Sequence, residues 1–367
     1  MKKRLLYIQD RFGLGGINRI TSVKQNYLVN HGYEVHNLNA QDGKGLPPEG
    51  MYDEKITLHS ISGDRMNRLA GIPIIGHFLR FFYCRYQMLS IILNINPDVI
   101  IVTMPFLEPA TVVWLTFWKK RILEFHGWYC NPAPRKLSFR EKFIIKTVFP
   151  FYRIVALTKG EAEKMERMTG QKTTYIPNSQ YSFPTTVSNC EAKRVVSMAR
   201  FSPQKNLDAV IPYWRMIEDK HPDWELHLFG EGPDEPKMVN AIKENGLKTV
   251  FIHPYTRKVI EEMTNSSIYI LPSVFEGFGL VLVESMSVGV PCVSYDCPFG
   301  PSEIIHDGED GFITEYMNPQ AMMEKVLLLI ENEQLRKKMG RKARENSQKY
   351  YNIDDIMGRW MKLFDEI

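Results

Sequence analysis

The chain alternates short apolar runs with longer amphipathic ones, and it does so twice, starting afresh near residue 194. Short apolar runs bounded by turn residues suit buried strands, and the longer runs suit helices. Steady alternation of the two builds parallel sheets with helices on both faces. The first series predicts strands at 5–9, 34–38, 98–104, 121–125 and 154–157, with a helix over 17–30 ending near Gly32 and 175–178 closing this half. The second predicts strands at 195–198, 225–229, 250–253, 268–271 and 291–295, and helices at 206–218, 236–245, 257–265 and 280–288. Residues 179–193 are polar, contain Pro184 and read as a linker between two α/β units. Residues 319–367 read as almost wholly helical, with Met357, Trp360, Met361 and Phe364 on one side of the last helix.

At 367 residues the chain is long enough for two domains of ordinary size. A hydrophobic content of 44% with 24% charge is that of a globular protein. A formal charge of +4 gives no overall nucleic-acid signal, so no nucleic-acid partner is expected. The five cysteines, Cys84, Cys130, Cys190, Cys292 and Cys297, form no CxxC pair. That pattern fits free thiols in a reducing compartment and predicts no metal site and no cofactor. No unbroken apolar run of about 18 residues predicts a spanning helix. The N-terminus reads as a first strand, not a signal peptide, so a cytoplasmic protein is expected.

The most informative segment is 271–311, LPSVFEGFGLVLVESMSVGVPCVSYDCPFGPSEIIHDGEDG. A strand-like run ends at Pro272, a glycine-spaced turn Glu276-Gly277-Phe278-Gly279 follows, and a helix-like run opens at Leu280. Strand, glycine turn and helix start together offer unpaired amide N–H groups to a phosphate. Glu276 in the turn and Glu284 in the helix suit sugar hydroxyls, so the segment points to a nucleotide-sugar site.

This segment resembles the donor-site signature of the retaining GT-B glycosyltransferases of family 4, in which seven residues separate two glutamates. The intervening Gly-Phe-Gly-Leu matches as well, and GVPCVSYD, GPSEII and DGFI follow it. The resemblance covers nearly the whole chain, strongest at 194–345 and weakest at 43–96. It implies two Rossmann-like domains facing across a cleft: 1–178 with the returning helix 350–367 on the acceptor side, and 194–349 on the nucleotide-sugar side. It also implies transfer of a hexose or N-acetylhexosamine from a UDP-sugar without a metal, to a glycan or polyprenyl-linked acceptor in surface polysaccharide assembly.

Residue by residue, Arg200 and Lys205 of SMARFSPQKN match the family's phosphate-binding cations, an Arg fork and a Lys point charge. By resemblance Glu276 contacts the donor sugar and Glu284 the ribose. The amides of Gly277, Phe278, Gly279 and Leu280 would face sugar or diphosphate. Glu276 as a covalent nucleophile is the alternative, less favoured because family-4 enzymes are described with front-face attack guided by the leaving phosphate. Gly15 and Gly16 match the family's glycine pair after the first strand, with Arg19 adding charge one turn on. His126 in LEFHGWY matches a histidine the family places near the sugar; Glu124 is either inward or a strand-edge charge. Asp296 and Glu303, in YDCPFGPSEII, are candidates for donor or base contact, and Tyr255 for base stacking or core packing.

Residues 65–97 contain no acid, and Arg65, Arg68, Arg80 and Arg85 alternate there with aromatic residues. Residues 135–153 set six basic residues against Glu141, again among aromatics. Both stretches suit peripheral contact with an anionic membrane, placing the protein at the inner face of the plasma membrane; ordinary helices with a buried aromatic stripe are the alternative. A GT-B sugar-nucleotide epimerase and a non-catalytic sugar-binding homologue are the rival functions.

Overall fold

The computed structural model describes residues 2–9, 16–40, 47–61, 76–103, 112, 115–127, 138–181 and 183–367. Gly13, Gly15, Arg65, Arg68, Cys130, Arg135 and the end of the strand expected to reach 104 lie outside the described residues.

Two parallel sheets organise the chain. The first contains β1 (Arg4–Gln9), β2 (Glu34–Asn39), β3 (Thr57–Ser60), β4 (Val99–Val102), β5 (Lys120–Glu124), β6 (Arg153–Ala156) and β7 (Thr174–Tyr175), ordered 3-2-1-4-5-6-7. The second contains β8 (Arg194–Met198), β9 (Glu225–Phe229), β10 (Val250–His253), β11 (Ile268–Leu271), β12 (Cys292–Tyr295) and β13 (Gly311–Thr314), ordered 10-9-8-11-12-13. The strand order is the same in both. In each sheet the order reverses beside the first strand, between β1 and β4 and between β8 and β11. Open parallel sheets bind ligands at the carboxyl ends of their strands at such a point.

Helices α1 (Gly16–Asn30), α2 (Gly76–Ile95), α3 (Phe139–Thr147) and α4 (Lys159–Thr169) accompany the first sheet. The expected helix 206–218 is absent. Two 3-10 turns, Leu207–Ala209 and Ile211–Trp214, and one turn of α5 (Arg215–Glu218) replace it. Asn206 is left-handed, at φ 53°, and Pro212 lacks the N–H an α-helix needs. Trp214 still turns inward and is fully buried. Helices α6 (Glu235–Glu244), α7 (Val259–Thr264), α8 (Leu280–Ser287), α9 (Pro301–Ile304), α10 (Pro319–Glu331) and α11 (Glu333–Tyr350) complete the second half.

The last helix, α12 (Ile353–Glu366), returns to the first sheet. Its buried stripe Ile356, Met357, Trp360, Leu363 and Phe364 packs with Leu5, Tyr7, Ile101 and Val155. Spacings of three and four put that stripe on one helix face. Between the sheets, the chain follows the second half: Ser188 N–H donates to Val288 O (2.8 Å) and Arg344 Nη2 to Pro184 O (2.9 Å).

Candidate functional site

The loops leaving β8 and β11 meet at the second sheet's reversal point. After β11 the turn carries Ser273 and Glu276; after β8 the loop carries Arg200 and Lys205. Glu276 is buried, and its Oε1 accepts from Lys205 Nζ and from Ser273 Oγ, both at 2.6 Å. The two loops are also zipped by backbone: Val274 N–H donates to Gln204 O (2.8 Å) and Gln204 Nε2 to Phe275 O (2.9 Å). Charge-assisted bonds to a shielded carboxylate hold it in one orientation. Arg200 is exposed and has no ion-pair partner among the described residues. Sequence reasoning gave Ser273 no role, although it sits three residues before the carboxylate it supports.

Gly279 begins α8 in the left-handed region, at φ 92°, and no side chain caps this helix. The first-turn amides therefore have no side-chain acceptor and carry the positive end of the helix dipole. Phe278 turns its ring inward, against Tyr351 at 5.8 Å. At Gly277 a Cβ would stand 2.8 Å from the carbonyl oxygen of His126. The turn of the second half thus abuts the loop after β5 of the first.

A second contact crosses the same cleft. Arg19 Nη1, on α1, lies 2.7 Å from Oε1 of the buried Glu284. Burial pushes the Glu284 carboxyl up, and Arg19 holds part of that rise back. Gly16 forms the first position of α1.

His126 follows β5 in the loop that abuts the Gly277 turn. Its imidazole is buried, with Nε2 3.4 Å from Glu124 Oε1. Glu124 is itself fully buried and paired with Lys24, which lies 4.7 Å from the Trp360 ring centre. The open choice for Glu124 is thereby settled as inward. Burial, aided by Lys24 and opposed by Glu124, lowers His126 to about 4, so the ring is neutral at pH 7. A carboxylate inside the apolar strand ILEF is the sequence signal that a buried cation must be nearby. Lys24, a hundred positions away on a helix, gives no sign of being that cation.

Residues 181–346 match the family model described as glycosyl transferases group 1. Over 370 residues the chain is 28% identical to an uncharacterized glycosyltransferase of Haemophilus influenzae, covering 98% of this chain and 99% of the relative. It is 25% identical to the amylovoran biosynthesis glycosyltransferase AmsD of Erwinia amylovora, covering 98% and 99%. The crystal structure of Anabaena HepE in complex with UDP and glucose superposes with a TM-score of 0.82 at 15% identity, covering 100% of both chains. The chain has a GT-B fold, and its second half is similar to group 1 glycosyl transferases.

Within the matched segment the DCPFGPSE loop has a structural task. Glu303 accepts from the backbone N–H groups of Lys159 (2.7 Å) and Gly160 (2.8 Å), the first residues of α4. A carboxylate at a helix start answers both the unpaired amides and the dipole. Glu303 therefore fastens the two halves, a task the sequence reading did not assign to it. Asp296 and Tyr255 are exposed, which removes core packing as the reading of Tyr255. No group of three or more His, Cys, Asp or Glu arranged to hold a metal occurs among the described residues. The buried thiols of Cys292 and Cys297 are both pushed up to about 12 by burial, and so are poor nucleophiles.

Proposed function

We propose that the protein is a retaining, metal-independent glycosyltransferase. It moves a hexose or N-acetylhexosamine from a UDP-sugar to a glycan or lipid-linked acceptor in surface polysaccharide assembly. The observation that carries this reading is the buried Glu276, held by Lys205 and Ser273 beside the uncapped start of α8. A binding module gains nothing from a cation poised between a sugar-facing carboxylate and a helix start; a transferase stabilising a departing diphosphate does. AmsD, an amylovoran biosynthesis glycosyltransferase similar over its full length, and the UDP and glucose of HepE support the donor and pathway class.

In this reading residues 1–178 with 350–367 form the acceptor side, 194–349 the donor side and 179–193 the linker. Arg200, Lys205 and the amides of Gly277 to Leu280 receive the diphosphate. Glu276 orients sugar hydroxyls, and Glu284 takes the ribose. The acceptor hydroxyl attacks the anomeric carbon on the face from which UDP leaves. The C1–O bond to phosphate breaks with its electron pair, and the departing phosphate oxygen takes the acceptor proton. Neutral His126 acts through the position of its loop, whose carbonyl walls the Gly277 turn.

The test is UDP release with candidate acceptors, followed by NMR of the product's anomeric proton. Retained configuration and activity undiminished by EDTA are expected. An inverted product, loss of activity in EDTA, or a hexosyl adduct on Glu276 in the Glu276-containing peptide would each overturn part of this mechanism. Epimerised UDP-sugar without transfer would favour the epimerase.

A further inference from the structure

The first half carries an exposed aromatic face that catalysis does not use. On α2, Leu79, Phe82, Tyr86 and Leu93 are exposed, and their spacings of three, four and seven place them on one helix face. Met88, Ile92 and Ile95 occupy the opposite face and enter the core. On α3, Phe139 and Phe143 point outward at 87% and 58% exposure, while Ile144, Ile145 and Val148 point inward. These inward residues of α2 and α3 share one core cluster, so both helices turn their outward faces away from the same side of the first sheet.

Two further patches join it. Phe117 is 75% exposed and stacks edge-on with Trp118 at 4.9 Å, and Phe151 is also exposed. Arg121 binds the carbonyls of Thr116 and Phe151, tying these turns together. Lys119 Nζ reaches Asn96 Oδ1 (2.6 Å), tying them to the end of α2. In the second half Phe251 is the exposed Phe or Trp among the described residues.

Apart from the exposed Asp98, the exposed charges on this layer are basic. Lys142 and Lys146 are exposed between the α3 aromatics, and Lys120 is exposed beside Trp118. The nearby acids are engaged elsewhere. Glu141 closes the α3 capping box, Glu124 is the buried partner of Lys24, and Asp98 accepts from the Arg4 N–H at 2.7 Å.

From this combination we propose that the α2–α3 face docks on an anionic phospholipid surface. Aromatic side chains flanked by lysines suit the headgroup boundary. A second copy of the chain is the poorer occupant, because a two-fold interface would set this basic face against itself. Docking does not depend on the donor-site reading, and vesicle binding can fail or succeed whatever UDP release shows.

The test is co-sedimentation of the full chain with vesicles of phosphatidylglycerol and phosphatidylcholine in equal parts, and with phosphatidylcholine alone. Binding is expected on the anionic vesicles, reversed at about 0.5 M salt. Each exposed lysine reversed, as Lys142→Glu or Lys146→Glu, should weaken it about fivefold or more. Phe143→Ser should weaken it as well, with circular dichroism and melting unchanged in all three variants. Absence of binding at low salt, or equal binding to both vesicle types, would overturn the proposal. So would a lipid-free dimer lost in Phe143→Ser, which would assign the face to a second copy.

Discussion

The two sheets repeat one another and then diverge at their carboxyl ends. Both follow the same order from an outer third strand inward, and both place a histidine pair across their second and third strands. His36 Nδ1 lies 3.0 Å from His59 Nε2, and His227 Nδ1 lies 2.8 Å from His253 Nε2. Each pair is backed by a glutamate two positions earlier, Glu34 and Glu225. In the second sheet the crevice loops are short, zipped to one another and rich in fixed charge around Glu276. In the first, the inward charges Lys24 and Glu124 are sealed beneath α12, and the outer face is aromatic and basic. One topology therefore serves two tasks. One sheet carries a charged crevice around Glu276; the other has a covered core with an aromatic, basic exterior.

The largest expected effect probes what holds the first half together. Trp360→Ala removes a fully buried indole from the cluster that joins α12 to β1, β4 and β6. A loss of about 3–5 kcal/mol is expected. Hydrogen exchange should show it concentrated in the first sheet; equal loosening of β8 to β13 would mean that α12 belongs energetically to both halves.

Next comes the charged crevice. Lys205→Ala should remove about 2–4 kcal/mol of transition-state stabilisation, read as kcat/KM, with melting little changed. Unchanged turnover would move the phosphate-binding role to Arg200.

Acid sharpens the comparison further. Burial lowers His126 to about 4, while unfolded histidine titrates near 6.5. The unfolded chain then binds the extra proton first, so stability is fully present above pH 6.5 and falls as pH drops toward 4. The His126 share of that loss is about 2 kcal/mol at pH 5. His59, His227 and His253 are lowered in the same direction, chiefly by burial. Denaturant unfolding at pH 7 and pH 5 checks the sign, and His126→Gln should flatten the dependence more than a change at either pair. A protein more stable at pH 5 would contradict the buried neutral ring.

The smallest effect tests closure. Arg19 is half exposed, so its pair with Glu284 is screened, and Arg19→Ala should raise donor KM about two- to fivefold, roughly 0.5–1 kcal/mol. An unchanged KM would mean that the pair is incidental to donor binding.

The strand series was legible because buried parallel strands read as apolar runs. Strands 225–229, 250–253 and 268–271 fall where the pattern puts them. β3 and β13 were not seen, since TLHS and GFIT are four residues long and carry little periodicity. The 206–218 segment kept an apolar helical pattern, but Pro212 and a left-handed Asn206 overrode it. In the site, Glu276 and Lys205 were singled out by resemblance, each with a role of its own; that they bond to one another was not foreseen. The pairings Lys24–Glu124 and Arg19–Glu284, and the use of Glu303 on α4, were invisible. Each depends on which distant element folds against which, and nothing local marks a lysine on an amphipathic helix as buried.

The central claim is that the crevice of the second sheet receives the nucleotide diphosphate. Hydrogen exchange with and without UDP, in EDTA, tests it most directly. The account predicts new protection at the 277–281 amides and along 200–206, with the far edge of the first sheet, β2 and β3, unchanged. Protection confined to the first half, or none at saturating UDP, would contradict it.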